Sequence, residues 1–161
     1  MSEVSVLFVC MGNICRSPTA HGVFEAKVIE QGLQDHIEVD SCGTGDWHIG
    51  HPPDRRAAAE AARRGFPLDH LRARQVRSQD FQQFDYILAM DQQNLADLRA
   101  MCPPSFTGHL GLFLPFAPDN PTDEVPDPYY GGDEGFTRVF DMVEAASDGL
   151  LREIQGADTP R

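Results

Sequence analysis

The N-terminal part of the chain contains an apolar run that ends in a cysteine. Val4 to Cys10 is rich in β-branched and aromatic residues and carries no charge. This composition is typical of a central strand that is buried on both faces. Ser17 and Pro18 follow after six intervening residues and predict a helix start, with Ser17 as the N-cap. The segment therefore predicts a buried strand, a short loop and a helix in immediate succession.

Strand and helix patterns alternate along the rest of the chain. Further strands are expected over residues 37–41, 86–90 and 110–114, and helices are expected after Asp54 and Asp91. A long amphipathic helix closes the chain. This alternation predicts an α/β fold with a four-stranded parallel sheet and helices on both faces. Ligands of such sheets bind beyond the carboxyl ends of the strands, so the loop after the first strand is the expected site.

Length and charge narrow the range of functions. The 161 residues predict a single domain over residues 1–156, followed by a frayed tail over 157–161. A formal net charge of -12 argues against nucleic acid and anionic membrane as partners. Neither a signal peptide nor an apolar stretch long enough to span a membrane is evident. We therefore expect a cytoplasmic monomer whose four cysteines are reduced.

The loop after the first strand has the composition of an anion-binding cradle. Backbone N–H groups ahead of a helix N-terminus can converge on one anion, and Gly12 permits close approach. Arg16 adds a planar guanidinium suited to two phosphate oxygens. The same positive field favours the thiolate of Cys10, which is the nucleophilic form. The predicted phosphate-binding residues are Met11, Gly12, Asn13, Ile14, Cys15 and Arg16.

Two segments resemble the low-molecular-weight protein tyrosine phosphatase family. The run Leu-Phe-Val-Cys-Met-Gly-Asn-Ile-Cys-Arg-Ser-Pro over residues 7–18 is similar to the family's N-terminal signature. The run Asp-Pro-Tyr-Tyr-Gly over residues 127–131 is similar to its acid loop. The resemblance implies that Cys10 is the nucleophile, Arg16 the phosphate clamp and Asp127 the general acid. It also implies that Trp47, Tyr129 and Tyr130 line the cleft that holds the substrate ring.

The same resemblance implies supporting roles for several other residues. Asn13 and Ser41 are expected to brace the phosphate loop, and Ser17 is expected to donate a hydrogen bond to the Cys10 thiolate. Cys15 is either an ordinary loop thiol or a redox partner that forms a disulfide with Cys10.

Two positions depart from the family pattern. His21 stands where the family often has glutamate. Leu71 stands where the family often has a histidine that braces the loop asparagine, and His70 lies one residue earlier. Either His70 takes over that brace or the brace is lost.

The resulting hypothesis is hydrolysis of phosphotyrosine in proteins through a cysteinyl-phosphate intermediate, without metal or cofactor. Inorganic phosphate and other oxyanions are the expected inhibitors. An arsenate reductase-like enzyme of the same fold is one alternative, but it needs a cysteine relay beyond the first loop. A phosphotyrosine-binding module without catalysis is a second alternative. The sequence leaves open the physiological substrate, and whether Tyr129 or Tyr130 is itself phosphorylated.

Overall fold

The centre of the fold is a four-stranded parallel sheet, seen in a computed structural model that describes residues 4–118, 120, 122–128 and 132–158. The spatial order of the strands is β2-β1-β3-β4. Strand β1 thus pairs on both edges, and six of its seven residues are buried. The strands are β1 (Val4–Cys10), β2 (Ile37–Gly43), β3 (Tyr86–Ala89) and β4 (His109–Leu112). The predicted four-stranded parallel sheet is confirmed.

Helices cover both faces of this sheet, as predicted. They are α1 (Arg16–Glu30), α2 (Arg55–Arg63), α3 (Asp80–Gln83), α4 (Gln92–Met101) and α5 (Asp133–Asp158), and a 3₁₀ turn spans Leu114–Phe116. Helices α1 and α5 share one apolar core with the sheet. Helices α3 and α4 share the other. No helix within the described residues is both long and apolar enough to cross a membrane. The division into a domain over 1–156 and a frayed tail stays a prediction.

Alternation along β1 divides its side chains between these two cores. Phe8 lies in the core under α1 and α5, whereas Leu7 and Val9 lie in the core under α3 and α4. The Phe8 ring meets Phe24 of α1 edge-on at a centroid distance of 5.7 Å and Phe113 at 4.9 Å. Such edge-to-face contacts fix the strand just before Cys10, so the loop that follows starts from a rigid base.

Three predicted helix caps have different outcomes. Asp54 caps α2 as predicted, because its Oδ1 accepts the Arg56 N–H at 2.8 Å. Asp91 likewise caps α4 by accepting the Asn94 N–H at 2.8 Å. The prediction that Ser17 caps α1 is wrong, because the helix already begins at Arg16 and has no side-chain cap. The Ser17 hydroxyl is instead bonded inside the phosphate loop.

Candidate active site

A pocket of about 410 Å³ opens at the carboxyl end of β1. Its size falls in the usual range for small-molecule sites. It is lined by Cys10, Met11, Gly12, Ile14, Cys15, Arg16, Trp47, His48 and Asp127. The fold thus brings together three predicted catalytic residues that are separated by up to 117 positions in the chain. The predicted sheet edge is also the edge at which the pocket lies.

Asn13 sets the path of the phosphate loop. It has a φ of 56°, and it is the only non-glycine residue with a positive φ in the part of the chain that the structure describes. Asparagine is among the few residues that tolerate this conformation. Its side chain is fixed at both ends, since Nδ2 donates to Ser17 Oγ at 2.8 Å and Oδ1 accepts the Arg74 N–H at 3.0 Å. Asn13 therefore braces the loop from below, as the family resemblance implied.

Cys10 lies at the bottom of the pocket with hydrogen-bond donors around its sulfur. The residue is 3% exposed, and the Asn13 N–H donates to Sγ at 3.3 Å. Ser17 Oγ lies 3.0 Å from Sγ. Because Ser17 Oγ accepts from the Asn13 amide, its own proton is available to the sulfur or to the Cys42 carbonyl at 3.3 Å. Donors placed in this way stabilise a negative sulfur.

Arg16 is the first residue of α1, and its guanidinium is held in place by two acceptors. Nη1 donates to Asp91 Oδ2 at 2.7 Å and to the Val125 carbonyl at 3.1 Å. Burial on its own lowers the pKa of Arg16. Negative charge on Cys10 and the hydrogen bond to Asp91 outweigh the burial and raise that pKa above its ordinary value. The Arg16 guanidinium therefore keeps its positive charge in the pocket.

The sequence indicated only a capping role for Asp91, yet it also holds the Arg16 guanidinium in place. One carboxylate oxygen caps α4 and the other accepts from Arg16. The position of Asp91 in the sequence could have indicated this second role. Asp91 follows β3 closely, and β3 pairs directly with β1, so its carboxylate emerges at the same sheet edge as the phosphate loop.

Trp47 and Asp127 are two exposed residues in the lining of the pocket. The Trp47 side chain folds over Gly45, where any added Cβ would overlap the indole ring, and it remains 67% exposed. Asp127 Oδ2 lies 3.8 Å from Arg16 Nη2, and this side chain is one-third exposed. Trp47, expected to line the substrate cleft, and Asp127, expected to be the general acid, therefore both line the pocket. Tyr129 and Tyr130, the other predicted wall residues, lie outside the described residues.

Ser41, which was expected to brace the phosphate loop, bonds a residue of α1 instead. Ser41 Oγ lies 3.0 Å from His21 Nδ1, and none of its hydrogen bonds within the described residues reaches the phosphate loop. His21 Nε2 in turn lies 3.6 Å from Glu25. His70 does not replace the missing loop brace. Its exposed ring lies 3.6 Å from the same Glu25, and the backbone of Arg74 holds Asn13 instead.

The buried cysteines other than Cys10 are Cys15 and Cys42, and their surroundings determine how reactive their thiols are. Burial, reinforced by the Asp54 carboxylate, raises the pKa of Cys15 and keeps it a neutral thiol. Cys42 is fully buried in the core under α3 and α4, and burial raises its pKa well above the ordinary value. Cys42 does not line the pocket, so it is poorly placed for the cysteine relay that a reductase needs beyond the first loop. This placement disfavours the arsenate reductase alternative.

A reduced thiol beside a fixed guanidinium suits a phosphate monoester, and it defines the chain as a cysteine-based phosphatase. The model of the family described as low molecular weight phosphotyrosine protein phosphatase matches residues 5–159. The chain belongs to this family, and it is a protein tyrosine phosphatase. All features of the sequence that resembled the family lie within the matched residues.

Named relatives and solved structures agree with this assignment. The low molecular weight protein-tyrosine-phosphatase YfkJ of Bacillus subtilis is 43% identical over 152 residues, which are 94% of this chain and 96% of that one. The low molecular weight phosphotyrosine protein phosphatase of Schizosaccharomyces pombe is 41% identical over 153 residues, which are 94% and 97% of the two chains. The crystal structure of a protein tyrosine phosphatase from Entamoeba histolytica superimposes with a TM-score of 0.92 at 38% identity, covering 97% of this chain and 99% of that one.

Proposed function

We propose that Cys10, Arg16 and Asp127 hydrolyse phosphotyrosine in two steps. Cys10 Sγ first attacks phosphorus, the bond to the tyrosyl oxygen breaks, and Asp127 protonates that oxygen. Water then attacks the cysteinyl-phosphate and gives its proton to Asp127, and the sulfur–phosphorus bond breaks to release phosphate. Arg16 and the loop amides stabilise the phosphoryl oxygens throughout. The observation that supports this scheme best is the lining of one pocket by all three side chains.

The position of Asp127 supports its role as the acid. A general acid must approach the leaving oxygen from the side opposite the nucleophile. Asp127 and Cys10 line the same pocket, and Asp127 is much the more exposed of the two, so we expect a bound ester to lie between them. The carboxylate is one-third exposed and lies near Arg16, which leaves it accessible to substrate oxygen and to water.

The test compares two esters that differ in how much their leaving group needs a proton. Phosphate release is measured with p-nitrophenyl phosphate and phenyl phosphate in the presence of a chelator. We expect Cys10→Ser to abolish turnover of both. We expect Asp127→Ala to lower the rate on phenyl phosphate by roughly 10²–10⁴, with a smaller loss on p-nitrophenyl phosphate, whose phenolate leaves readily.

Asp123→Ala is the matched control, because Asp123 is an exposed acid of the same loop that does not line the pocket. It should behave as wild type on both esters. Turnover by folded Cys10→Ser would remove the nucleophile assignment. Equal losses for the Asp127 and Asp123 variants would remove the general acid assignment.

A redox role for Cys15 is proposed as well. Both Cys10 and Cys15 line the pocket as free thiols. Peroxide would oxidise Cys10 to the sulfenic acid, and the Cys15 thiol would then displace water to form the disulfide. Peroxide followed by a thiol reductant should restore full activity in wild type. Restoration that is equally complete in Cys15→Ser would show that Cys15 has no protective role.

The remaining assignments are also proposals. The acidic surface and net charge of -12 favour a monomer that binds neither nucleic acid nor anionic membrane. Inorganic phosphate and similar oxyanions would compete for the loop. The requirement for a reduced Cys10 favours a cytoplasmic location. The partner at the active site is a phosphotyrosine-containing protein.

A further inference from the structure

A second concave surface continues from the catalytic pocket along α2. This α2 groove has a volume of about 1350 Å³ and shares Ile14 and His48 with the catalytic pocket. His48 lies directly over the phosphate loop, because a Cβ on Gly12 would come within 2.9 Å of its ring. The groove is too large for the tyrosyl phosphate alone, and it is contiguous with the place where that group binds.

The floor of the α2 groove is apolar and its rim is rich in arginine. Phe136 is buried beside Ile14 and Ala57, and the Arg56 guanidinium lies 4.6 Å from the Phe136 ring centroid. Arg55 and Arg63 also line the groove. Residues 47–64 contain four arginines and two carboxylates in a chain whose net charge is -12.

Most charged side chains in the α2 groove form ion pairs with one another. Asp54 caps α2 and pairs with Arg56. Glu60 is buried and pairs with Arg63 and Arg64. Two charged residues of the lining, Arg55 and Asp69, form no ion pair within the part of the chain that the structure describes.

Arg55 is exposed and makes no ion pair with any residue that the structure describes. The carboxylate in the lining without an ion pair among these residues is Asp69. The Arg55 guanidinium is therefore a positive group of the groove without an ion pair among the described residues, and it lies close to the catalytic pocket.

The carboxylate that lines the catalytic pocket is Asp127, whereas Arg55, Arg56 and Arg63 line the α2 groove. A substrate segment that carries carboxylates would be repelled by Asp127 and attracted by the arginines of the groove. This difference in charge gives a bound polypeptide a preferred orientation.

We propose that the α2 groove binds an acidic side chain that flanks the phosphotyrosine of the substrate polypeptide. The inference rests on the proposed function, because it names the kind of phosphotyrosine segment that the same site prefers. Adjacent residues of an extended chain are about 3.3–3.6 Å apart, so a flanking residue reaches the groove while the phosphate stays in the loop. Arg55 supplies the charge, and the apolar floor accommodates the methylenes of a glutamate.

Matched phosphotyrosine peptides test this proposal. One set carries glutamates only on the N-terminal side of the phosphotyrosine, one only on the C-terminal side, and a third has glutamine at every such position. Each kcat/KM is divided by the same variant's value on p-nitrophenyl phosphate, so any change in the phosphate loop cancels. We expect wild type to prefer glutamate on one side by about two- to five-fold, the range of an exposed ion pair.

Charge variants identify the source of that preference. Arg55→Ala should bring the glutamate-to-glutamine ratio close to one, and Arg55→Glu should invert it. Asp69→Asn should raise the ratio, because it removes a competing carboxylate. Arg152→Ala is the matched control, since Arg152 is an exposed arginine roughly 24 Å further along α5 than Phe136. Added salt should reduce the ratio in wild type.

The outcomes separate this inference from the proposed function. Equal rates on glutamate and glutamine peptides, with normal turnover of p-nitrophenyl phosphate, would overturn the groove and leave the phosphatase intact. A preference that survives in Arg55→Ala, or that is lost equally in Arg152→Ala, would also overturn it. Failure of wild type to hydrolyse p-nitrophenyl phosphate would overturn both.

Discussion

Gly43, at the end of β2, shows how a residue without a side chain can control the active site. Its N–H donates to the Arg74 carbonyl at 2.8 Å, and its backbone lies against the phosphate loop. A Cβ at this position would lie 2.6 Å from the Met11 carbonyl oxygen and 3.1 Å from the Asn13 nitrogen. Neither atom is the end of a flexible side chain, so the loop itself would have to move.

Gly43→Ala should therefore damage catalysis more than folding. We expect kcat on p-nitrophenyl phosphate to fall by about 10²-fold, the usual cost of misplacing reacting groups by about 1 Å. Far-UV circular dichroism should stay close to that of wild type. Gly156→Ala on α5 is the control, because nothing lies within 4 Å of its added Cβ. Wild-type kcat in Gly43→Ala would mean that the loop tolerates the displacement.

Residue chemistry also explains which parts of the site the sequence predicted. Cys10 and Arg16 lie six positions apart around one loop, so their spacing in the sequence is enough to predict that their side chains meet at one site. Gly43 and Asp91 come from other elements, and only the packing of β2 and β3 beside β1 brings them to the loop. A glycine at a strand end and an aspartate at a helix start are common for local structural reasons. The sequence therefore gave no direct indication that these two residues also contact the site.

At the scale of elements, α1 is joined to β2 by an arrangement that the family pattern did not predict. His21 on α1 bonds Ser41 on β2 and lies beside Glu25 on the next turn of the same helix. Glu25 also faces His70 in the segment after α2. A hydrogen bond from His21, together with the charges of both histidines, lowers the pKa of Glu25 in spite of its partial burial.

This lowered pKa predicts a specific pH dependence of stability. The pKa of Glu25 in the folded state lies below its ordinary value of 4.5. Its contribution is therefore fully present above pH 4.5 and is lost as the pH falls through the folded-state value. Glu25→Gln should lower the Tm just above pH 4.5, where histidine is ordinarily charged, and the difference from wild type should shrink on further acidification.

Thermal melting of both proteins across this range measures the effect. Glu30→Gln is the control, because Glu30 is an exposed residue of the same helix without an ion pair in the described part of the chain. A constant difference between wild type and Glu25→Gln at every pH would mean that packing, not charge, accounts for the loss.

The boundaries of elements were predicted less well than their order. The alternation of strands and helices gave the sheet, because each apolar run carries its own period. The start of α1 was misplaced, since Ser17 and Pro18 form a standard start signal but the Ser17 hydroxyl is bonded to Asn13 and close to the Cys10 sulfur. Tertiary contacts therefore override local capping preference where the helix forms part of the site.

For the whole molecule, charge is distributed unevenly around a site that must bind an anion. The chain has 25 acidic residues and 13 basic ones, yet one buried arginine lies in the catalytic pocket and three more line the adjoining α2 groove. A net negative charge opposes the long-range attraction of polyanions. We therefore expect the local positive groups to select anions by shape and position instead of by long-range attraction.

The position of Trp47 gives this protein a built-in optical probe. The chain has a single tryptophan, and that indole is largely exposed at the mouth of the catalytic pocket. All tryptophan emission from the molecule therefore originates beside the substrate-binding surface, with no background from the core. Occupancy of the pocket can be followed in solution by its fluorescence, without a label and without waiting for turnover.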